Sequence, residues 1–197
     1  MFLSDVDIKS SLEAGDITLE PFDLSRLQPV SYDIRLGNTF VLNEDTGTMV
    51  IDPVRKHYAK PREIEIGDGD EFVLHPGISA LAVSKEFFGS DKYLIQLGGK
   101  SSLARIGLMV HNTAGIINPG HFLNVTFEIT NQNNIPIVLR PGMEIAQIMF
   151  SMISSPPSRT YRTTGRFAKN NWNHFAPKRT VVPKKKPAKR KPAKKNK

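Results

Sequence analysis

A chain of 197 residues, 39% hydrophobic and 23% charged, is long enough for one compact domain and apolar enough to give it a core. The absence of Cys excludes disulfides, cysteine-ligated zinc, iron–sulfur clusters and thiol nucleophiles. The net charge of +8 is uneven: nine of the 27 Lys and Arg lie in residues 184–197, KKKPAKRKPAKKNK, and without them 18 basic residues face 19 acidic ones.

The opening segment, MFLSDVDIKSS, lacks a basic stretch followed by an apolar run, so no secretory signal is expected. No run reaches the roughly 18 apolar residues that span a membrane. A cytoplasmic protein without membrane contact is the expectation. Ser4 is placed to cap a short helix carrying Ile8 and Leu12, which Gly15 closes. Strand signals follow. SYDIRLGNTFVL alternates around Ile34, Leu36 and Phe40. EFVLHPG, ISALAVS, KYLIQLGG, GLMVHNTAG, LNVTFEITN and IPIVLRPG come next at short intervals, separated by Gly, Pro, Asn or Asp. Segment 42–70 is polar and acidic with little pattern and reads as a long hairpin excursion. Leu74-His75-Pro76-Gly77 and Leu139-Arg140-Pro141-Gly142 each precede an apolar strand. Pro sets φ and Gly supplies a positive φ at the centre of a turn, which predicts two equivalent sheet corners. Many short strands with little helical periodicity predict an all-β sandwich, barrel or jelly roll.

From Ser154 onward the apolar period is lost. Residues 154–177 read as an arm or lid on a β domain spanning 1–177. Residues 178–197 read as a disordered basic tail, because Lys, Pro and Ala without aromatics bury too little surface to offset chain entropy. The tail is expected to bind polyanions such as nucleic acid without contributing to the chemistry of the body. If all nine of its cations meet phosphates, log affinity falls against log salt with a slope of about −8. A salt titration of the full chain against one ending at Pro183 checks this. Equal nucleic-acid binding by both leaves the tail a solubilising extension.

GGKSS at 98–102 departs from the Walker phosphate loop, which needs Gly where Leu94 stands. What remains is a strand running into Gly98-Gly99, then Lys100, Ser101, Ser102 and Arg105. Backbone amides, two hydroxyls and two cations so close together suit a polyphosphate; a glycine turn with solvated charges is the plainer alternative. Glu128, in NVTFEITN, shares a strand face with Thr126 and Thr130, while Val125, Phe127 and Ile129 take the other. It is either a charge on a solvated face or a carboxylate in a pocket, suited to act as general base and then general acid. His111 reads as a packed strand histidine, and His57, His75, His121 and His174 lack metal-ligand spacing. Trp172 and Phe175, in the arm, either stack on a base or anchor the arm.

In chain order, MFLSDVDIKSSLEAGDITLEPFD, QPVSYDIRLG, GKSSLARIGLMVHNTAGIINPG, VTFEITN and LRPGMEIAQIMF resemble the dCTP deaminase family of the dUTPase-like superfamily. The resemblance covers about residues 1–161, and the basic tail has no counterpart in it. It implies a distorted β-barrel or jelly roll of the dUTPase-like type, forming a homotrimer with active sites at subunit interfaces. It also implies zinc-independent hydrolysis of dCTP to dUTP and ammonia, feeding dUMP to thymidylate synthesis. Zinc cytidine deaminases need a Cys-x-x-Cys pair, which this sequence lacks. By position, Glu128 is implied as the general base that takes a proton from water for attack at C4. Ser101 and Thr113-Ala114 are implied to hold the water and the base edge, and Arg105 to orient the site electrostatically. Lys100, Ser101 and Ser102, continuing into Leu103 and Ala104, are implied to meet the phosphates of a Mg²⁺-bound triphosphate. Thr126 and Phe127 are implied to line the pyrimidine pocket through their backbone, and Gln147 and Tyr161 to contact the nucleotide.

Three departures accompany the resemblance. Asn118-Pro119-Gly120 stands where the family has Asp-Pro-Gly. That Asp is implied to meet the sugar 3′-hydroxyl and, in dUTPases, to serve as base for phosphate hydrolysis; Asn hydrogen-bonds a hydroxyl but takes no proton. The Gly-aromatic-x-Gly turn becomes Gly120-His121-Phe122-Leu123, and the lid's Lys-Tyr and Gln elements are at most Arg166-Phe167 and Asn170. Two further readings therefore stand beside the dUTP-forming one. A dUMP-forming enzyme, which also removes pyrophosphate, is favoured by the TAG spelling and opposed by Asn118. A nucleotide-binding homologue without catalysis is motivated by Asn118 and the altered turn, and opposed by the intact Glu128, Ser101 and Arg105.

Overall fold

The N-terminal helix forms where its caps require it. In α1 (Asp5–Glu13), the Ser4 hydroxyl accepts from the Asp7 N–H while the Asp7 carboxylate accepts from the Ser4 N–H, closing a capping box. Ile8 is fully buried beneath it. The computed structural model describes residues 1–44 and 50–165. The tail, the boundary expected at 177, Arg166-Phe167, Asn170, Trp172, His174 and Phe175 lie outside the described residues.

The strands are β1 (Thr18–Glu20), β2 (Tyr32–Glu44), β3 (Lys60–Glu65), β4 (Phe72–Leu74), β5 (Ser79–Gly89), β6 (Leu94–Gly99), β7 (Leu108–Met109), β8 (Ile116–Ile117), β9 (Leu123–Asn131), β10 (Ile137–Leu139) and β11 (Glu144–Ser151). Two one-turn helices join them, α2 (Ser101–Ala104) and α3 (Tyr161–Thr164). Nine strands form one antiparallel sheet in the order β7-β9-β5-β2-β11-β6-β8, with β1 beside β5 and β3 beside β2, and the sheet curls into a half-barrel. Its inner face buries Ile34, Phe40, Phe88, Phe127, Ile129 and Phe150 completely, each contributing about 1.5–3 kcal/mol of transfer free energy. The all-β expectation holds. No helix among the described residues is long and apolar enough to cross a membrane.

The Pro-Gly echo marks two matching corners. β4 and β10 pair with each other, Leu74 opposite Ile137 and Phe72 opposite Leu139. Each then turns through its Pro-Gly, with Ile78 N–H donating to His75 O and Met143 N–H to Arg140 O, both at 3.2 Å. Gly77 and Gly142 take φ of 72° and 86°, values that side chains with a Cβ resist. The two corners deliver β5 and β11 to either side of β2.

Two segments differ from expectation. Residues 42–70 do form a hairpin, but its arms are laddered: β3 pairs with the outer half of β2 from Thr39–Glu65 to Glu44–Lys60. Beyond Val41 both arms are largely half-exposed and charged, with Glu44 between Lys60 and Arg62, so no apolar alternation announces this part of the hairpin. GLMVHNTAG, expected as a strand, contributes only Leu108–Met109 to the ladder before the chain lifts away toward β8.

β5 carries a bulge, with its register against β9 shifting between Val83 and Phe87. Side chains satisfy the groups this frees. The Ser84 hydroxyl donates to Glu86 O (2.7 Å) and accepts from Val125 N–H (2.8 Å). Glu86 turns inward with no exposed surface. Its carboxylate accepts from the Arg35 backbone N–H at 2.7 Å and from Arg35 Nε at 2.6 Å. Nothing in the alternation of β5 singled out this buried ion pair.

Candidate active site

The phosphate-loop candidates sit where β6 runs straight into α2. Gly98 and Gly99 lie opposite Gln147 and Ala146 of β11, and Lys100 is the residue before the helical turn, its carbonyl accepting from Leu103 and Ala104 N–H. The turn leaves Ser101, Ser102, Ala104 and Arg105 exposed and Leu103 half-buried. Because β11 lies between β2 and β6, Gln147 also faces Asp33, and the sheet thereby gathers residues from both ends of the chain. A cavity of about 350 Å³ results, lined by Gln28, Ser31, Asp33, Lys100, Ser101, Ser102 and Gln147. Gln147 is fixed at both ends of its amide, accepting from Ser31 Oγ (2.9 Å) and donating to Gly99 O (3.1 Å).

Lys100 is doubly paired, with Nζ 2.6 Å from Asp33 Oδ2 and 2.8 Å from Glu144 Oε2. Partial burial works against the ammonium, but the hydrogen bonds to Asp33 and Glu144 outweigh it and hold the pKa above the ordinary lysine value. Lys100 therefore stays cationic throughout the physiological range. Asp33 is nearly buried and belongs to the site, as does Glu144. On an alternating strand Asp33 reads as an outward polar residue, and only the neighbouring strand shows what covers it.

Glu128 occupies the half-buried face of β9, while Val125, Phe127 and Ile129 point into the core. Glu128 lines a cavity of about 210 Å³ with Val41, Asn43, Ser79, Ala80, Leu81, Asn112 and Thr130. Its backbone N–H donates to Val110 O, and its Oε2 accepts from Asn112 N–H at 3.0 Å. Oε1 accepts no hydrogen bond among the described residues. The lifting of GLMVHNTAG away from the ladder is what brings that Asn112 amide over the carboxylate. The same loop carries Thr113 and Ala114 on the surface and then returns to β6, where Leu97 N–H donates to Gly115 O at 2.8 Å. His111 sits in this loop, half-buried, rather than in a strand as expected.

The sequence candidates thus fall into groups. Lys100, Ser101, Ser102 and Gln147 share one cavity, and Glu128 lines another with no residue in common. Thr126 is half-buried and Phe127 has its side chain in the core, which leaves only its backbone for a pocket. Asn118 is exposed at the turn before β9, and Tyr161, at the start of α3, packs against that turn through His121.

A family model described as dCTP deaminase-like matches residues 2–153. The chain is 42% identical over 162 residues to a Corynebacterium efficiens protein named "dCTP deaminase, dUMP-forming", covering 82% of this chain and 84% of that one. It is 44% identical over 163 residues to a protein of the same name from Salinispora tropica, with the same two coverages. The crystal structure of 2′-deoxycytidine 5′-triphosphate deaminase from Agrobacterium tumefaciens shares the fold, with a TM-score of 0.58 at 23% identity over 77% of this chain and 48% of that one. On the extent of the family match and the identity to these relatives, the chain is an enzyme of the dCTP deaminase-like family.

Proposed function

We propose that this protein hydrolyses dCTP to release ammonia and carries the product on to dUMP, acting as a homotrimer. The observation that carries the reading is the dUMP-forming name of relatives 42–44% identical over 82% of the chain. It favours dUMP over the dUTP product expected from the sequence. In this reading Glu128, oriented through Oε2 by the Asn112 amide, takes a proton from water at Oε1 as the water oxygen bonds to C4. The carboxylic acid gives that proton to N3, then relays the proton of the new C4 hydroxyl to the departing amine, so that the C4–N bond breaks with release of ammonia and C4 is left as a carbonyl. Ser101 and the Thr113-Ala114 loop hold the water and the base edge, Arg105 supplies positive charge, and the Thr126-Phe127 backbone lines the pyrimidine. The phosphates enter the cavity of Lys100, Ser101, Ser102 and Gln147. Glu128 and that cavity are separate within one chain, which supports a site completed between copies.

In this reading Mg²⁺ enters as part of the triphosphate substrate. The test is to incubate the full chain with dCTP and Mg²⁺ and to follow ammonia, dUTP and dUMP together. Ammonia with dUMP supports the reading, ammonia with dUTP alone restores the simpler deaminase, and binding without ammonia leaves a nucleotide-binding homologue. Asn118→Asp is expected to raise the dUMP-to-dUTP ratio or the affinity for nucleotide, because it adds a group that accepts a proton beside the sugar. An unchanged ratio and affinity would show that neither step uses a carboxylate at this position.

A further inference from the structure

The turn that departs from the family pattern, Gly120-His121-Phe122, is built against the start of α3. His121, 8% exposed, stacks on Tyr161 with ring centroids 3.9 Å apart and planes 20° from parallel. One residue on, the Arg162 guanidinium lies 4.6 Å above the Phe122 ring and forms a two-pronged ion pair with Asp91, at 2.9 and 3.2 Å. The backbones are joined as well. Tyr161 N–H donates to Pro119 O at 3.1 Å, and Gly120 N–H to Ser90 O at 2.8 Å. Gly120 has φ of 84°, and a Cβ there would sit 3.0 Å from Thr160 Cβ, so the two segments touch main chain to main chain. Phe122 packs so tightly on Gly89 that a Cβ at 89 would lie 2.6 Å from its ring.

These contacts run through the two residues that replace the family's turn, and they end on Tyr161 beside Asn118. We infer that His121 and Phe122 are positioning residues that seat Tyr161 and Arg162 on the Asn118–Gly120 turn, and that this seat sets the affinity for the nucleotide without taking part in bond making. The inference rests on the functional reading above, together with the nucleotide contacts that the family resemblance implies for Tyr161 and Asn118. An imidazole in the aromatic position keeps a flat face for the phenol ring, and Phe122 offers its own face to the cation. Two such contacts on adjacent residues hold the start of α3 where a single aromatic residue would hold one side chain.

The experiment combines steady-state kinetics on dCTP with amide hydrogen exchange of Tyr161 in the full chain. His121→Ala is expected to raise KM roughly three- to tenfold, the worth of one aromatic contact, with kcat within about twofold of wild type. Its Tyr161 amide is expected to exchange faster. His121→Phe, which keeps a ring for stacking, is expected to restore both. Asp91→Asn is an exposed change that loosens Arg162 without opening the core, and it is expected to raise KM by about twofold. Unchanged KM and exchange in His121→Ala overturn the inference. So does a fall in kcat at constant KM, which would place the imidazole in the chemistry. Failure of His121→Phe to restore KM while the exchange recovers also overturns it. A wild-type protein that releases no ammonia from dCTP overturns the functional reading instead. Tyr161 exchange and calorimetric dCTP affinity in the same variants then decide the seat, with unchanged values again counting against it.

Discussion

Glu128→Gln is expected to cut ammonia release from dCTP by about 10²–10⁴-fold, the usual worth of a positioned general base, while nucleotide binding persists. The amide oxygen still accepts from Asn112 N–H, now 3.0 Å from Oε2, so the side chain keeps its place on β9 and the cavity its shape. What disappears is the ability to take a proton from water and return it to the leaving amine. Ammonia release measured beside calorimetric dCTP affinity separates the two effects. A variant that retains a tenth of the wild-type rate removes Glu128 from the role of base.

The second large effect concerns stability. Glu86→Gln is expected to lower the unfolding free energy by about 3–5 kcal/mol, the cost of leaving one member of a buried ion pair without its partner. Glu86 has no exposed surface, and the Arg35 side chain is only 14% exposed, so water cannot replace the lost charge. The carboxylate also accepts the Arg35 backbone N–H, which ties β2 to the bulged part of β5. Urea denaturation at neutral pH reads the change as a shift in midpoint with an unaltered slope. An unchanged midpoint would show that the pair contributes nothing net.

Where local chemistry decides structure, the sequence was a good guide. Ser4 as a cap defined the start of α1, and the alternation of Val125, Phe127 and Ile129 against Thr126, Glu128 and Thr130 defined the faces of β9. The two Pro-Gly turns were equivalent corners because a positive φ after proline leaves the chain few other choices. Where distant strands decide, the guide failed. Asp33 and Glu144 were not foreseen beside Lys100, since their meeting depends on β11 lying between β2 and β6, an order that no local pattern encodes. GLMVHNTAG has the apolar content of a strand but gives up its ladder after Met109, and the amide thereby released holds Glu128. The family resemblance supplied the roles proposed for Glu128, Ser101 and Arg105. It did not supply the meaning of His121 and Phe122, which became visible only with α3 packed against them.

The pairing of Lys100 changes what its charge means for an incoming anion. With Asp33 and Glu144 both within 2.8 Å, the ammonium is already neutralised, and any anion that reaches it must displace a carboxylate. Binding at this residue is then an exchange of one negative partner for another, with little net gain from the lysine by itself. A single small anion gains almost nothing from such an exchange. A chain of linked phosphates, able to meet the Ser101 and Ser102 hydroxyls at the same time, recovers the difference through several hydrogen bonds at once. On the proposed reading, in which the phosphates enter this cavity, the site would select by the number of phosphates, and an isolated ion would leave the three side chains as they are.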